Sequence, residues 1–165
     1  MPQIPGCRAR RALLQSSGMN DVCLVCAEVT GAQPVPGGFL EQCNTVVVFH
    51  CPVVAPATDV YAGHLFVVPR RHAAGFADLT MSEAASVGQA LARWSLALER
   101  AGAEHVYVVR VGHAFPHLHV MLLPRWPGTP ESVSWSEVDR WPGARRGDTE
   151  FATEVVDELR RLAAV

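Results

Sequence analysis

The sequence predicts an α+β domain, in which an antiparallel sheet of about five strands carries one long helix and is followed by a C-terminal helix. Three observations predict it. Short runs rich in β-branched and aromatic residues recur between proline- and glycine-containing connections, a helix-capping sequence stands at Thr80, and an amphipathic segment runs near the end of the chain.

The strands come first. Phe39 to Gln42, Thr45 to His50 and His64 to Val68 are three apolar runs separated by turn-forming residues, after a Gly/Pro cluster from Gly31 to Gly38 that reads as a loop. In Thr80-Met-Ser-Glu83 the Thr80 hydroxyl can accept from the Glu83 amide while the Glu83 carboxylate reaches back, so a helix follows. Val87, Leu91, Trp94 and Leu98 make a single apolar stripe along it, and Gly102 provides the stop. Beyond the helix, His105 to Val111 and Phe115 to Leu123 are expected to pair as strands, and Thr149 to Leu162 to form the terminal helix.

Length and composition fit one domain with its own core: 165 residues, 49% apolar and 18% charged, with a net charge of −2. That balance argues against disorder and against the basic surface of a nucleic-acid binder. No run approaches the roughly 20 apolar residues of a membrane span. Met1 to Arg11 leads into no apolar stretch with a cleavage-like end, so a cytoplasmic protein is expected, with no membrane or nucleic-acid partner. Residues 1–21 read as a poorly ordered lead-in, 22–125 as the domain proper, and 126–165 as a Trp/Pro-rich extension packing on the same domain. The five cysteines are odd in number and expected to be reduced, with Cys43 and Cys51 as small buried residues near a strand.

The chemistry is concentrated in two places. In Pro116-His-Leu-His-Val-Met-Leu-Leu-Pro-Arg125, strand alternation would send His117 and His119 to one face while Leu118, Val120 and Leu122 bury the other. Two convergent imidazoles serve as nucleophiles or metal ligands; the plainer alternative is a strand with two satisfied histidines. Cys23-Leu-Val-Cys26 can grip one tetrahedral ion, or act as a redox pair, or do neither, and His50, His64, His72, His117 and His119 are the histidines that would complete a metal shell.

Together these residues resemble the histidine-triad superfamily of nucleotide hydrolases and transferases. The likeness runs from about Val22 to Arg125 in four ordered parts: Cys23 and Cys26, the segment Gly63-His-Leu-Phe-Val-Val-Pro-Arg-Arg-His72, the long helix, and Pro116 to Arg125. The resemblance implies a structural zinc ion held by Cys23, Cys26, His72 and His117, with no position open for catalysis. It implies that His119 is the nucleophile, attacking the α-phosphorus of a nucleotide to form a nucleotidyl-histidine that water or another acceptor resolves. Nucleoside phosphoramidates, dinucleoside polyphosphates and nucleotidyl sugars are the substrates it suggests, and a twofold homodimer the assembly.

Two departures stand out. The third triad position is Met121, where histidine is usual and glutamine serves in the hexose-1-phosphate uridylyltransferase branch; a thioether donates no hydrogen bond. The glycine-rich link that often precedes the triad is shortened to Gly112-His-Ala-Phe-Pro116, so His113 stands where a glutamine is common, as the acid for the leaving group or as a solvated loop residue. His117, Met121, Arg125 and Phe115 are the expected substrate-side residues, with Arg70 and Arg71 as further phosphate neighbours or merely solvated arginines. The leading expectation is an enzyme of nucleotide hydrolysis or nucleotidyl transfer. The alternatives are a zinc-stabilised nucleotide-binding protein with little turnover and a thiol redox protein.

Overall fold

A computed structural model describes residues 23–112 and 115–163. The expected lead-in of residues 1–21, and His113, lie outside the described residues.

Five strands form one antiparallel sheet: β1 (Glu41–Gln42), β2 (Val46–His50), β4 (Leu65–Pro69), β6 (Val120–Arg125) and β5 (His105–Val109), in that spatial order. A two-stranded ribbon of β3 (Val60–Tyr61) and β7 (Arg146–Gly147) stands beside it. Three helices complete the chain: α1 (Leu24–Thr30), α2 (Met81–Arg100) and α3 (Thr149–Ala163). The sequence foresaw the large sheet, α2 and α3; α1 and the ribbon were not foreseen.

β2 explains how the layers are arranged. Its run Val-Val-Val-Phe-His is apolar at four consecutive positions and buried at all five, as a strand covered on both faces must be. Val46 and Val48, with Leu65, Val67, Val120 and Leu122 of the neighbouring strands, pack against Val87, Ala90, Trp94 and Leu98 of α2. Val47, Phe49 and Val68 form a smaller core on the other face with Val25 and Val29 of α1. α2 is therefore the main cover of one face, and α1 a short patch on the other.

The capping box forms as expected: Thr80 Oγ1 accepts from the Glu83 amide at 3.2 Å and Glu83 Oε2 accepts from the Thr80 amide at 2.8 Å. Arg71 closes on the same carboxylate with two hydrogen bonds of 2.9 and 2.8 Å, so the surface arginine is spent on tying β4 to the start of α2. Gly63 enters β4 with φ +74°, and a Cβ there would stand 2.9 Å from Leu98 and 3.0 Å from Pro124; only glycine meets both demands.

Two expectations are corrected. β6 begins at Val120 and not at Phe115, so His117 and His119 lie in the irregular segment leading into it. That segment is pinned instead to the chain after β4, the Leu118 amide donating to Ala73 O at 2.6 Å. Cys43 is exposed, not buried, because it sits in the β1–β2 turn beside Thr45. Of the Trp-rich segment, Trp126 is core and donates to Ala62 O at 2.9 Å, while Trp135 is half-exposed. Among the described residues no helix is long and apolar enough to cross a membrane.

Candidate functional site

α1 carries two kinds of side chain to the sheet face that it covers. Its N-cap is Cys23, whose Sγ accepts from the Cys26 amide at 3.5 Å, so one helical turn sets both thiols side by side. Against them stand His72, three residues beyond the end of β4, and His117, three before the start of β6. Cys26 Sγ lies 3.2 Å from His72 Nδ1 and 3.3 Å from His117 Nδ1, and Cys23 Sγ lies 3.6 Å from His117 Nδ1. The four donor atoms all fall within 4.8 Å of one another.

Those separations fit a tetrahedral ion. Metal–sulfur bonds near 2.3 Å and metal–nitrogen bonds near 2.05 Å at tetrahedral angles put sulfur and nitrogen roughly 3.6 Å apart. The tautomer of His117 fits too: Nε2 is 3.0 Å from the Pro69 carbonyl, which can only accept, so Nε2 carries the proton and Nδ1 presents its lone pair to the thiols. Burial and then the neighbouring Cys23 thiol hold the Cys26 thiol above its ordinary range, so an arriving cation would displace a proton from Cys26. The Cys₂His₂ cluster is compatible with zinc.

This arrangement corrects one expectation. His117 was expected at the substrate as well as the metal, but it is fully buried and both ring nitrogens face protein atoms, leaving none for a ligand. Arg125 is corrected likewise. It is buried, and its guanidinium donates to Val133 O, Thr129 O and Pro130 O at 3.0, 3.2 and 2.7 Å, clamping the loop after β6 instead of reaching a phosphate.

His119 turns the other way, into a pocket of about 190 Å³. Its Nδ1 lies 2.9 Å from the His117 carbonyl and must donate there, so Nε2 holds the free lone pair. Phe66 and Phe115 flank the imidazole with ring centroids 5.5 and 6.3 Å away. α1 supplies Leu24, Val25 and Glu28 to the pocket, and the chain leaving β2 supplies Cys51, Pro52 and Val54. The lining is almost wholly apolar, suited to a flat heterocycle or another apolar body.

Glu28 is the exception. It is 2% exposed, its carboxyl makes no hydrogen bond or ion pair among the described residues, and burial pushes it up to about 7. Met121 lines a second cavity of about 210 Å³, together with His64. The Nε2 of His64 is buried without a partner among the described residues, and burial holds this imidazole down to about 3.

Of the residues singled out in the sequence, Cys23, Cys26, His72 and His117 lie together and His119 and Phe115 line one pocket, whereas Glu28, Phe66 and the wall after β2 were not foreseen. α1 has only seven residues, too few for an apolar period to show which side Glu28 takes.

No family model and no curated protein matches the chain. Its fold does match solved structures. A zinc-bound histidine triad family protein from Mycobacterium smegmatis superposes with TM-score 0.64 at 19% identity, over 87% of this chain and 94% of that one. A hypothetical histidine triad nucleotide-binding protein from Sulfolobus tokodaii gives TM-score 0.65 at 17% identity, over 86% and 92%. A Hit-like protein involved in cell-cycle regulation from Bartonella henselae gives 0.65 at 17%, over 88% and 99%. The chain has the histidine-triad fold.

Proposed function

We propose that the chain is a histidine-triad protein that binds a nucleotide and hydrolyses it, or transfers its nucleotidyl group, through a covalent intermediate on His119. The observation that carries this is the tautomer: with Nδ1 donating to the His117 carbonyl, the Nε2 lone pair is free beside an apolar pocket. The Sulfolobus neighbour, described as nucleotide-binding, supports the ligand class.

In the reaction the Nε2 lone pair attacks the α-phosphorus, a P–N bond forms, and the bond to the leaving group breaks with its electron pair. The departing group takes a proton, for which His113 is the proposed acid. Water or another acceptor then attacks phosphorus, expels Nε2 and releases a proton, restoring the neutral imidazole. The His117 carbonyl stabilises the imidazolium character that develops at His119 as the P–N bond forms. Phe115 is proposed to flank the bound nucleoside, and Met121 to offer only apolar contact.

Zinc is proposed for Cys23, Cys26, His72 and His117. All four protein ligands close the shell, so the ion would hold α1 to the sheet and supply no reaction chemistry. A homodimer is proposed on the edge strand β5, where Val108 is exposed and the outer hydrogen-bonding groups lack a partner strand among the described residues.

Met121 favours a second reading, a nucleotide-binding protein with little turnover, because the position offers no donor to a phosphate oxygen. One experiment separates them: intact-mass spectrometry after brief exposure to AMP-morpholidate, ADP and UDP-glucose. A nucleotidyl adduct on wild type and not on His119→Ala supports the enzyme. Binding by thermal shift with no adduct supports the binding protein, and neither binding nor adduct overturns both.

A further inference from the structure

Glu28 is the residue of the pocket that packing does not explain. A buried carboxyl without a donor or a cation is costly, and a leucine or valine on α1 would fill the same space against the same apolar wall. Chains tolerate such a group where something absent from the free protein supplies its partner.

The surroundings narrow what that partner is. Glu28 lines the same pocket as the His119 imidazole, with Val25, Cys51 and Phe66 between the helix and the sheet. The Cys51 thiol is no partner, since it donates to Pro52 O and burial pushes it up to about 12. Once ionised, a carboxylate facing a ligand accepts hydrogen bonds and repels phosphate oxygens, and donors on the ligand favour that ionised form. Its two oxygens suit two adjacent donors.

Resting on the functional reading above, we propose that Glu28 is a specificity residue that accepts hydrogen bonds from paired donors on the nucleoside part of the ligand. It thereby turns the phosphates away from α1 and toward His119. The paired donors are the vicinal hydroxyls of a ribose or the adjacent ring N–H and amino group of a guanine, which share this chemistry.

The test is calorimetric titration of the zinc-loaded full chain with GMP, IMP, AMP, 2′-dGMP and 2′-dAMP, for wild type, Glu28→Gln and Glu28→Leu. Wild type is expected to lose about 10- to 100-fold in affinity where one of the paired donors is removed. A loss on the 2′-deoxy arms identifies the sugar, and a loss from GMP to IMP identifies the base. Glu28→Leu is expected to flatten that preference to within about twofold, with Glu28→Gln between the two. The melting temperature of Glu28→Leu should equal or exceed that of wild type, so that weaker binding cannot come from a damaged fold. A wild-type preference that survives in Glu28→Leu overturns the assignment of Glu28 and leaves the functional reading standing. A wild type that binds none of the nucleotides and forms no adduct on His119 overturns the functional reading, and this assignment with it.

Discussion

Removing the metal should release α1 while leaving the rest of the molecule folded. The helix has seven residues, and its apolar anchors are Val25 and Val29, each 4% exposed. Burying two valines stabilises by about 4 kcal/mol, and a few helical hydrogen bonds add about 1 kcal/mol each. Against this, ordering seven residues costs at least about 7 kcal/mol, so by itself the docked helix is close to balance. Zinc at 100 to 1,000 times its dissociation constant adds about 2.7–4.1 kcal/mol, which multiplies the ratio of docked to undocked helix by the same factor of about 100 to 1,000. The assay is hydrogen exchange by mass spectrometry on peptides covering Cys23 to Gly31, with zinc and with chelator. Protection of those amides is expected to fall about 100- to 1,000-fold on chelation, while the α2 amides change little. Equal protection of α1 in both conditions would refute the reasoning, since packing alone would then suffice.

Acid should weaken the fold in two separable stages. Burial, helped by His50, Arg146 and His119 nearby, lowers His64 from 6.5 to about 3. The unfolded chain then takes up that proton first, and urea-unfolding stability should decline as pH falls from about 6.5 toward 3, less steeply in His64→Leu. The hydrogen bonds from Arg71 hold Glu83 down from 4.5 to about 2. Its contribution is therefore present above about pH 4.5 and lost as the pH falls toward 2, and Glu83→Gln should remove the dependence in that window. Met121→Gln offers a hydrogen-bonding group to the cavity where His64 Nε2 has no partner, and should raise stability by about 1 kcal/mol in the same assay. An unchanged or lowered stability to urea would mean that the amide does not reach His64.

The sequence carried the parts whose signals are local or regularly spaced. The capping box at Thr80 and the stripe from Val87 to Leu98 placed α2 almost to the residue, because each depends on neighbours within one or two turns. His117 and His119 were visible as a pair, but not their divergence. Strand alternation predicts one shared direction, whereas the bond from Leu118 to Ala73 O holds an irregular segment, in which one imidazole meets the thiols and the other the pocket. Arg125 shows a different limit. A basic residue at a strand end reads as a ligand for phosphate, and only the course of the loop after β6 reveals three carbonyls closing around it. Glu28 was illegible for the same reason: in a short helix, burial is decided by what lies across the sheet.

α1 also joins the metal cluster to the pocket, with a consequence for binding. Cys23 and Cys26 face His72 and His117, while Leu24, Val25 and Glu28 of the same helix line the pocket around His119. No ligand need touch the ion for the two to be coupled; each requires α1 docked. If docking is near balance without metal, the binding-competent fraction is about one half or less, and the apparent dissociation constant for a nucleotide should rise at least about twofold on chelation. Linkage then requires the nucleotide to tighten zinc by the same factor. Competition titrations of zinc with and without AMP, beside AMP titrations with and without zinc, should return equal ratios. Glu28→Leu should tighten zinc on its own, because replacing a buried, unpartnered carboxyl favours the docked helix whether or not a nucleotide is present. Unequal ratios would break the thermodynamic cycle, and equal ratios of one would mean that α1 stays docked without the ion.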